Sequence, residues 1–361
     1  MAGVQVLASL VFLPLVEGTE EGALADRDSL RCLLCGGNRH HFLVTGYDRI
    51  RATAEDYRYV RCDGCGLVFP DPLPQPGEIP GYYPDDYIPH SAPLTWDRNK
   101  TGRRLAIRYF YGAGSTSRSR LLRSIFRMLS GRIMRDLCEP QGENRMLDVG
   151  CGSGGLMDKH RALGWSVCGV EVSSRACASC RARGLEVYEG TLLDAPLQAH
   201  RFDVILLNHV VEHLLDPVAA LRRAAGLLAA GGKVIVRTPN IAGLGFGLYR
   251  SCWTPLEIPR HIFLFDPFTI RLLAQRSGLA VRSASTRPEA NMLRESRHCA
   301  RSQGQSLPAG LEARKELLAK ARQSASDHRM YRRLISPVAL LFSFAGRGDT
   351  LVAEFGRETG H

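Results

Sequence analysis

From residue 145 onward the apolar positions fall into short runs separated by polar, helix-compatible stretches. The runs at 145–149, 166–171, 185–189, 202–208 and 233–238 are almost continuously apolar, as expected of parallel strands covered on both faces. Two further runs, at 279–285 and 350–356, bring the predicted strands to seven. Alternation with helical segments predicts an α/β, doubly wound sheet, whose ligands bind past the carboxyl ends of the strands. A basic helical insert is expected at about 309–341.

The pattern before residue 141 is different. Over 101–140 it predicts two amphipathic helices broken at "GAGSTS". In the second, Leu121, Leu122, Ile125, Phe126, Leu129, Ile133 and Met134 recur at helical spacing with arginines between them, a core-facing helix with a solvated basic face. Residues 71–100 are rich in proline, which opposes regular structure and predicts a linker or lid strap with exposed tyrosines. The apolar start, "MAGVQVLASLVFLPLV", has no Lys or Arg before it and no good cleavage site after it. Residues 1–30 are therefore expected to be a disordered or mis-started leader rather than a secretory signal.

Residues 31–70 hold cysteines with metal-ligand spacing. Cys32/Cys35 and Cys62/Cys65 read C-x₂-C-x₂₆-C-x₂-C, and each pair is followed by glycine. Glycine lets the backbone turn beneath a metal and donate N–H groups to the sulfurs. Four thiolates suit tetrahedral zinc and leave no open position for water, so the site is expected to be structural. The Cys177/Cys180 pair has no companion pair and is expected in the helix after the second strand. Eleven cysteines, an odd number, argue for a reducing compartment, and a cytoplasmic location is expected.

A length of 361 residues with 45% apolar composition allows a sizeable core, and no run is long enough for a membrane span. The net charge of +11 is uneven: residues 1–95 carry 13 acidic against 7 basic side chains, residues 96–145 carry 4 against 12. A basic stretch can attract nucleic acid or a phosphorylated substrate. Little aromatic interleaving accompanies it, and 42 of the 47 basic residues are Arg throughout the chain, so nucleic acid is not the expected partner.

The stretch "MLDVGCGSGGLMDKH" contains a glycine loop with two readings. Gly150, Gly152 and Gly155 spell the G-x-G-x-x-G of a dinucleotide site; Asp148, Gly150, Gly152 and Gly154 spell a D-x-G-x-G-x-G loop. An acidic residue two positions before the first glycine is foreign to a dinucleotide loop, where that position is apolar. It suits a cofactor with a cationic sulfonium and ammonium and no pyrophosphate. With this loop, "VCGVEVS", "FDVILLNHVVEHLLDP", "LLAAGGKVIVRTPN" and "CWTPLEIPRHIFLFDP", the chain from about residue 32 to 357 resembles class I S-adenosylmethionine-dependent methyltransferases. More narrowly it is similar to bacterial members with an N-terminal zinc-binding segment that act on sugars and secondary metabolites.

The resemblance implies a Rossmann-like sheet of order 3-2-1-4-5-7-6 with the seventh strand antiparallel. It implies that Gly150, Cys151, Gly152 and Gly154 wrap the methionine part of the cofactor, with Asp148 supporting the loop. Glu171 would hold the ribose and Val172 would lie against the adenine. Thr191 and Leu192 would lie near the adenine amino group, where the family often has an acidic or amide residue, and Asn208 would face the methionine carboxylate or the methyl group. For proton removal from an acceptor the candidates are His213, oriented by Glu212, and His261. Trp253, Glu257 and Arg260 are expected in a loop covering the acceptor. The expected acceptor is a small molecule, such as a sugar, nucleotide sugar or natural-product hydroxyl, and the positive segments would face an acidic or diphosphate-linked one. The competing expectation is a zinc-module ribosomal-RNA base methyltransferase, against which stand the acidic first 95 residues and the all-cysteine ligand set. A catalytically silent scaffold is disfavoured by the intact glycine loop.

Overall fold

The computed structural model describes residues 30–53, 55–83, 137–197, 202–303 and 339–357. The leader, the body of the predicted 101–140 helices and residues 309–338 of the predicted insert lie outside them. Among the described residues no helix is long and apolar enough to cross a membrane.

Three antiparallel strands come first: β1 (His40–Tyr47), β2 (Asp56–Cys62) and β3 (Val68–Pro70). They were not predicted from the sequence. Their buried positions do not alternate cleanly, β1 running from exposed to buried along its length, because one end of the ribbon packs on the cysteine turns and the other on the following domain.

The second sheet has seven strands. In chain order they are β4 (Arg145–Val149), β5 (Ser166–Glu171), β6 (Glu186–Glu189), β7 (Phe202–Asn208), β8 (Leu228–Pro239), β9 (Leu279–Arg287) and β10 (Thr350–Arg357). Across the sheet they run β6-β5-β4-β7-β8-β10-β9, which is the expected 3-2-1-4-5-7-6. The first five are parallel to one another, and β10 is antiparallel to both β8 and β9. The central strands are sealed on both faces, Val204 to Leu207 being fully buried, which is why their sequence is an unbroken apolar run.

Helices α1 (Gly155–Arg161), α2 (Ser174–Ala182), α3 (Pro217–Leu227), α4 (Leu244–Tyr249), α5 (Thr269–Arg276) and α6 (Ala290–Gln303) flank the sheet. Local chemistry sets several starts. The Ser173 hydroxyl accepts the N–H of Ala176 at the head of α2, and Asp216 accepts the N–H of Ala219 in front of Pro217 at the head of α3. Cys177 and Cys180 both lie on the buried face of α2, as expected of a helix residue pair.

The two sheets share a core. Val44, Tyr59 and Val68 from the first pack with Phe246, Trp253, Leu256 and Ile258 after β8. A buried ion pair adds to this: Asp48, following β1, receives two hydrogen bonds from the Arg260 guanidinium at 2.8 and 2.6 Å.

Candidate active site

The glycine loop leaves β4 and turns into α1. Gly150, Gly152 and Gly154 all have positive φ, at 65°, 53° and 77°, a region open to glycine at little cost. A Cβ on Gly150 would sit 2.5 Å from the side chain of Val210, and one on Gly154 2.6 Å from Leu185, so packing excludes side chains there as well. Glu171, at the end of β5 and 3% exposed, ties the loop down. Its Oε2 accepts the N–H of Gly152 at 2.7 Å and its Oε1 that of Ser173 at 2.9 Å.

The other expected cofactor residues fall along the same strand ends. Asp148 is buried on β4, and burial pushes its carboxyl up to about 7 against the opposing pull of Arg237. Val172 is exposed just past Glu171. Thr191 follows β6 on the surface, whereas the Leu192 side chain lies in the core. In that turn Thr191 Oγ1 donates to Asp194, an acidic residue that the sequence reading passed over because it lies beyond the expected position. The Cys151 thiol is turned inward beside Cys180 on α2. Asn208 ends β7 half-buried, its Oδ1 accepting from Arg237 at 3.3 Å.

Beyond β7, His209 adopts a left-handed conformation with φ 56°, and a single 3-10 turn, Val211–His213, follows. That turn delivers Glu212 and His213 to His261, 48 positions later. The carbonyl of Glu212 accepts the N–H groups of Ile262 and Phe263 at 2.7 and 3.1 Å, clamping the "IPRHIF" loop onto the turn. The rings of His213 and His261 lie 4.5 Å apart, nearly perpendicular.

Backbone carbonyls set the histidine tautomers. His261 Nδ1 is 2.7 Å from the carbonyl of Pro255, and His213 Nδ1 is 3.1 Å from that of Arg260. A carbonyl can only accept, so each Nδ1 donates there, and the Tyr83 hydroxyl shares the His213 Nδ1 at 3.1 Å. His261 Nε2 points toward Glu257 at 3.6 Å and Glu212 at 4.0 Å. One atom each from Glu212, His213 and His261 lie within 4.8 Å of one another, close enough to share a proton or a cation.

Electrostatics separate the roles. Burial and the neighbouring His261 drive His213 down to about 4, so it is neutral at ordinary pH. Burial opposes ionisation of Glu212, but its hydrogen bond with His209 at 3.2 Å and the charge of that ring hold it at about 2. Glu212 Oε2 is buried without a partner.

Two expectations change here. The "exposed" tyrosines of the proline-rich strap are not all exposed: Ile79–Tyr82 forms a 3-10 turn, and Tyr83 places its hydroxyl 3.1 Å from His213 Nδ1. Trp253 and Arg260, expected over the acceptor, are instead buried, Trp253 against Phe246 and Arg260 on Asp48. Their apolar or paired surroundings make them structural supports of the loop.

The four cysteines of the first module converge. The Cys32–Cys65 and Cys35–Cys62 sulfurs are 3.5 and 3.4 Å apart, and all four lie within 4.8 Å of one another. Gly36 and Gly66 have φ of 74° and 82° and donate to the carbonyls of Cys32 and Cys62 at 2.8 Å. Tetrahedral Zn–S bonds of about 2.3 Å require sulfurs roughly 3.8 Å apart, so the set fits zinc after a small expansion.

Residues 118–284 match the family model described as "Methyltransferase domain". That segment is similar to a methyltransferase domain. It contains the glycine loop, Glu171 and the Glu212–His213–His261 group. Among curated relatives, the chain is 31% identical over 148 residues to a ubiquinone biosynthesis O-methyltransferase of Rhodopseudomonas palustris (strain BisA53), covering 38% of this chain and 58% of that protein. With the enzyme of the same name from Caulobacter sp. (strain K31) it shares 41% over 103 residues, 27% of this chain and 41% of that one. The chain thus spans about half the length of the curated relatives it matches. A solved SAM dependent methyltransferase from Archaeoglobus fulgidus is 15% identical with a TM-score of 0.39, over 70% of this chain and 98% of that one. The cysteine module lies outside the family match.

Proposed function

We propose that the protein transfers a methyl group from S-adenosylmethionine to a hydroxyl of a small molecule, such as a sugar, nucleotide-linked sugar or natural product, and that zinc holds its cysteine module. The observation that carries this reading is the carboxylate of Glu171 bridging the glycine loop and the β5 turn, with a neutral His213 beside an ionised, buried Glu212. The matched relatives are named O-methyltransferases, which supports an oxygen acceptor.

When bound, the cofactor supplies an electrophilic methyl on a sulfonium. The chain has then to hold the acceptor in line, worth about 7–11 kcal/mol, and to remove its proton, worth typically ~10²–10⁴-fold. His213 Nε2 takes the proton while the Arg260 carbonyl holds Nδ1–H. The Glu212 carboxylate stabilises the imidazolium as it forms, without leaving its bond to His209. Glu171 orients the ribose, and Gly150, Gly152 and Gly154 admit the methionine chain.

Calorimetric titration with S-adenosylmethionine and with NAD⁺, beside elemental analysis for zinc, tests the reading. Micromolar binding of the first, none of the second and one zinc per chain are expected; a screen of sugar nucleotides and phenolic alcohols follows. Absence of S-adenosylmethionine binding overturns it.

A further inference from the structure

A cleft opens past the carboxyl ends of β7 and β8 and the amino end of the antiparallel β10, beside the Glu212 turn. Asn208, His209 and Arg237 form its inner wall, and Arg287, Glu289 and Met292 its mouth under α6. Arg237 is unusual. It follows the buried apolar run Val234–Val236 of β8 and is only 7% exposed. One of its terminal nitrogens donates to Asn208 at 3.3 Å, yet its Nε is sealed from solvent with no partner. Burying a guanidinium N–H without an acceptor costs free energy that folding alone has no reason to spend. The fork of a buried arginine is matched by a planar carboxylate or by phosphate oxygens. The lining of the cleft carries two guanidiniums and one carboxylate, that of Glu289, and the buried Asp148 lies within electrostatic reach of Arg237 behind it.

We propose that Arg237 and Arg287 form a subsite for a carboxylate or phosphate group of a ligand, at the methyl-transfer end of the domain. Its placement at that end rests on the function proposed above. Two ligands could bring such a group: the cofactor, through its amino-acid carboxylate, or an anionic acceptor. Arg237 would receive the anion at the inner wall, and Arg287 would close on it from the mouth.

The test uses the full chain, with Arg237→Lys, which keeps the charge and removes the fork, and Arg287→Gln at the half-buried mouth. Calorimetry follows three probes: S-adenosylhomocysteine, 5′-methylthioadenosine, which lacks the amino-acid portion, and inorganic phosphate added to protein saturated with S-adenosylhomocysteine. Thermal melting checks that each variant is folded, and Arg287→Gln decides alone if Arg237→Lys is not. A loss of about tenfold or more in S-adenosylhomocysteine affinity, with 5′-methylthioadenosine unchanged, assigns the subsite to the cofactor carboxylate. Unchanged S-adenosylhomocysteine affinity, with phosphate binding to the loaded wild type weakened about tenfold or more in the variants, assigns it to the acceptor. Folded variants that show neither loss overturn the proposal. If the wild type binds neither nucleoside, the methyltransferase reading has failed separately, and phosphate titration of the unloaded chain decides the anion subsite by the same comparison.

Discussion

The tie between the cysteine module and the seven-stranded domain can be cut at one residue, by Asp48→Ala. Asp48 and Arg260 are each only 1% exposed, and two hydrogen bonds of 2.8 and 2.6 Å join them side by side. Removing the carboxylate leaves the guanidinium in the core with the carbonyls of Tyr82 and Ile258 and an edge contact to Glu257. Breaking one partner of such a pair costs about 3–5 kcal/mol, because the remaining charge is buried and uncompensated. Asp48 Oδ1 also accepts the N–H groups of Ile50 and Arg51, whose loss adds about 1 kcal/mol. Asp48→Asn keeps an acceptor for those turn bonds and isolates the charge. Replacing both partners, Asp48→Leu with Arg260→Met, removes the stranded charge and is expected to recover most of the loss. Urea unfolding followed by far-UV circular dichroism and by tryptophan fluorescence measures this, since Trp253 lies in the core shared by the two sheets. An Asp48→Ala cost below about 1 kcal/mol, or single losses that simply add in the double variant, would refute the argument.

Other outcomes follow from the site. His213→Ala should lower kcat by ~10²–10⁴-fold and leave S-adenosylhomocysteine affinity unchanged; equal loss of both would make His213 a wall residue instead. Because His213 is held near 4, its base form persists as pH falls through the ordinary histidine range. The acid limb of kcat/KM should therefore appear only toward pH 4, and a limb near 6.5 contradicts the assignment. Glu171→Gln should weaken S-adenosylmethionine binding by about 1.5–3 kcal/mol, read by calorimetry, and an unchanged dissociation constant would remove Glu171 from the cofactor site. Zinc extraction by a chelator, or Cys62→Ser, should unfold the cysteine module, with metal binding worth on the order of 10 kcal/mol; unchanged proteolytic resistance of residues 30–70 would argue that the module stands without metal.

Much of this architecture is written in local sequence, and the reason is steric and dielectric. A parallel strand covered on both faces must be apolar at every position, so β4, β5 and β7 appear in the sequence with the bounds seen in the structure. A backbone with positive φ packed against Val210 or Leu185 must be glycine, and a four-sulfur cluster needs paired cysteines; both leave marks readable at short range. The three strands of the cysteine module leave no such mark, because their burial follows two different neighbours rather than the pleat.

What only tertiary structure decided are the partnerships between distant residues. Asp48 and Arg260 are 212 positions apart, and nothing near either one distinguishes a buried pair from two surface charges. Arg260, read from its loop as an acceptor contact, became a support once Asp48 was beside it. Tyr83 and His213, 130 positions apart, met because the turn that ends at Tyr83 lies beside the turn after β7. Arg237 looks from the sequence like a polar interruption near a strand end, and its unpaired nitrogen emerges only where β7, β8 and α6 enclose it. Residue type and spacing determine which chemistry a segment can offer; exclusion of water by the assembled fold determines which of those groups are charged, paired or left waiting for a ligand.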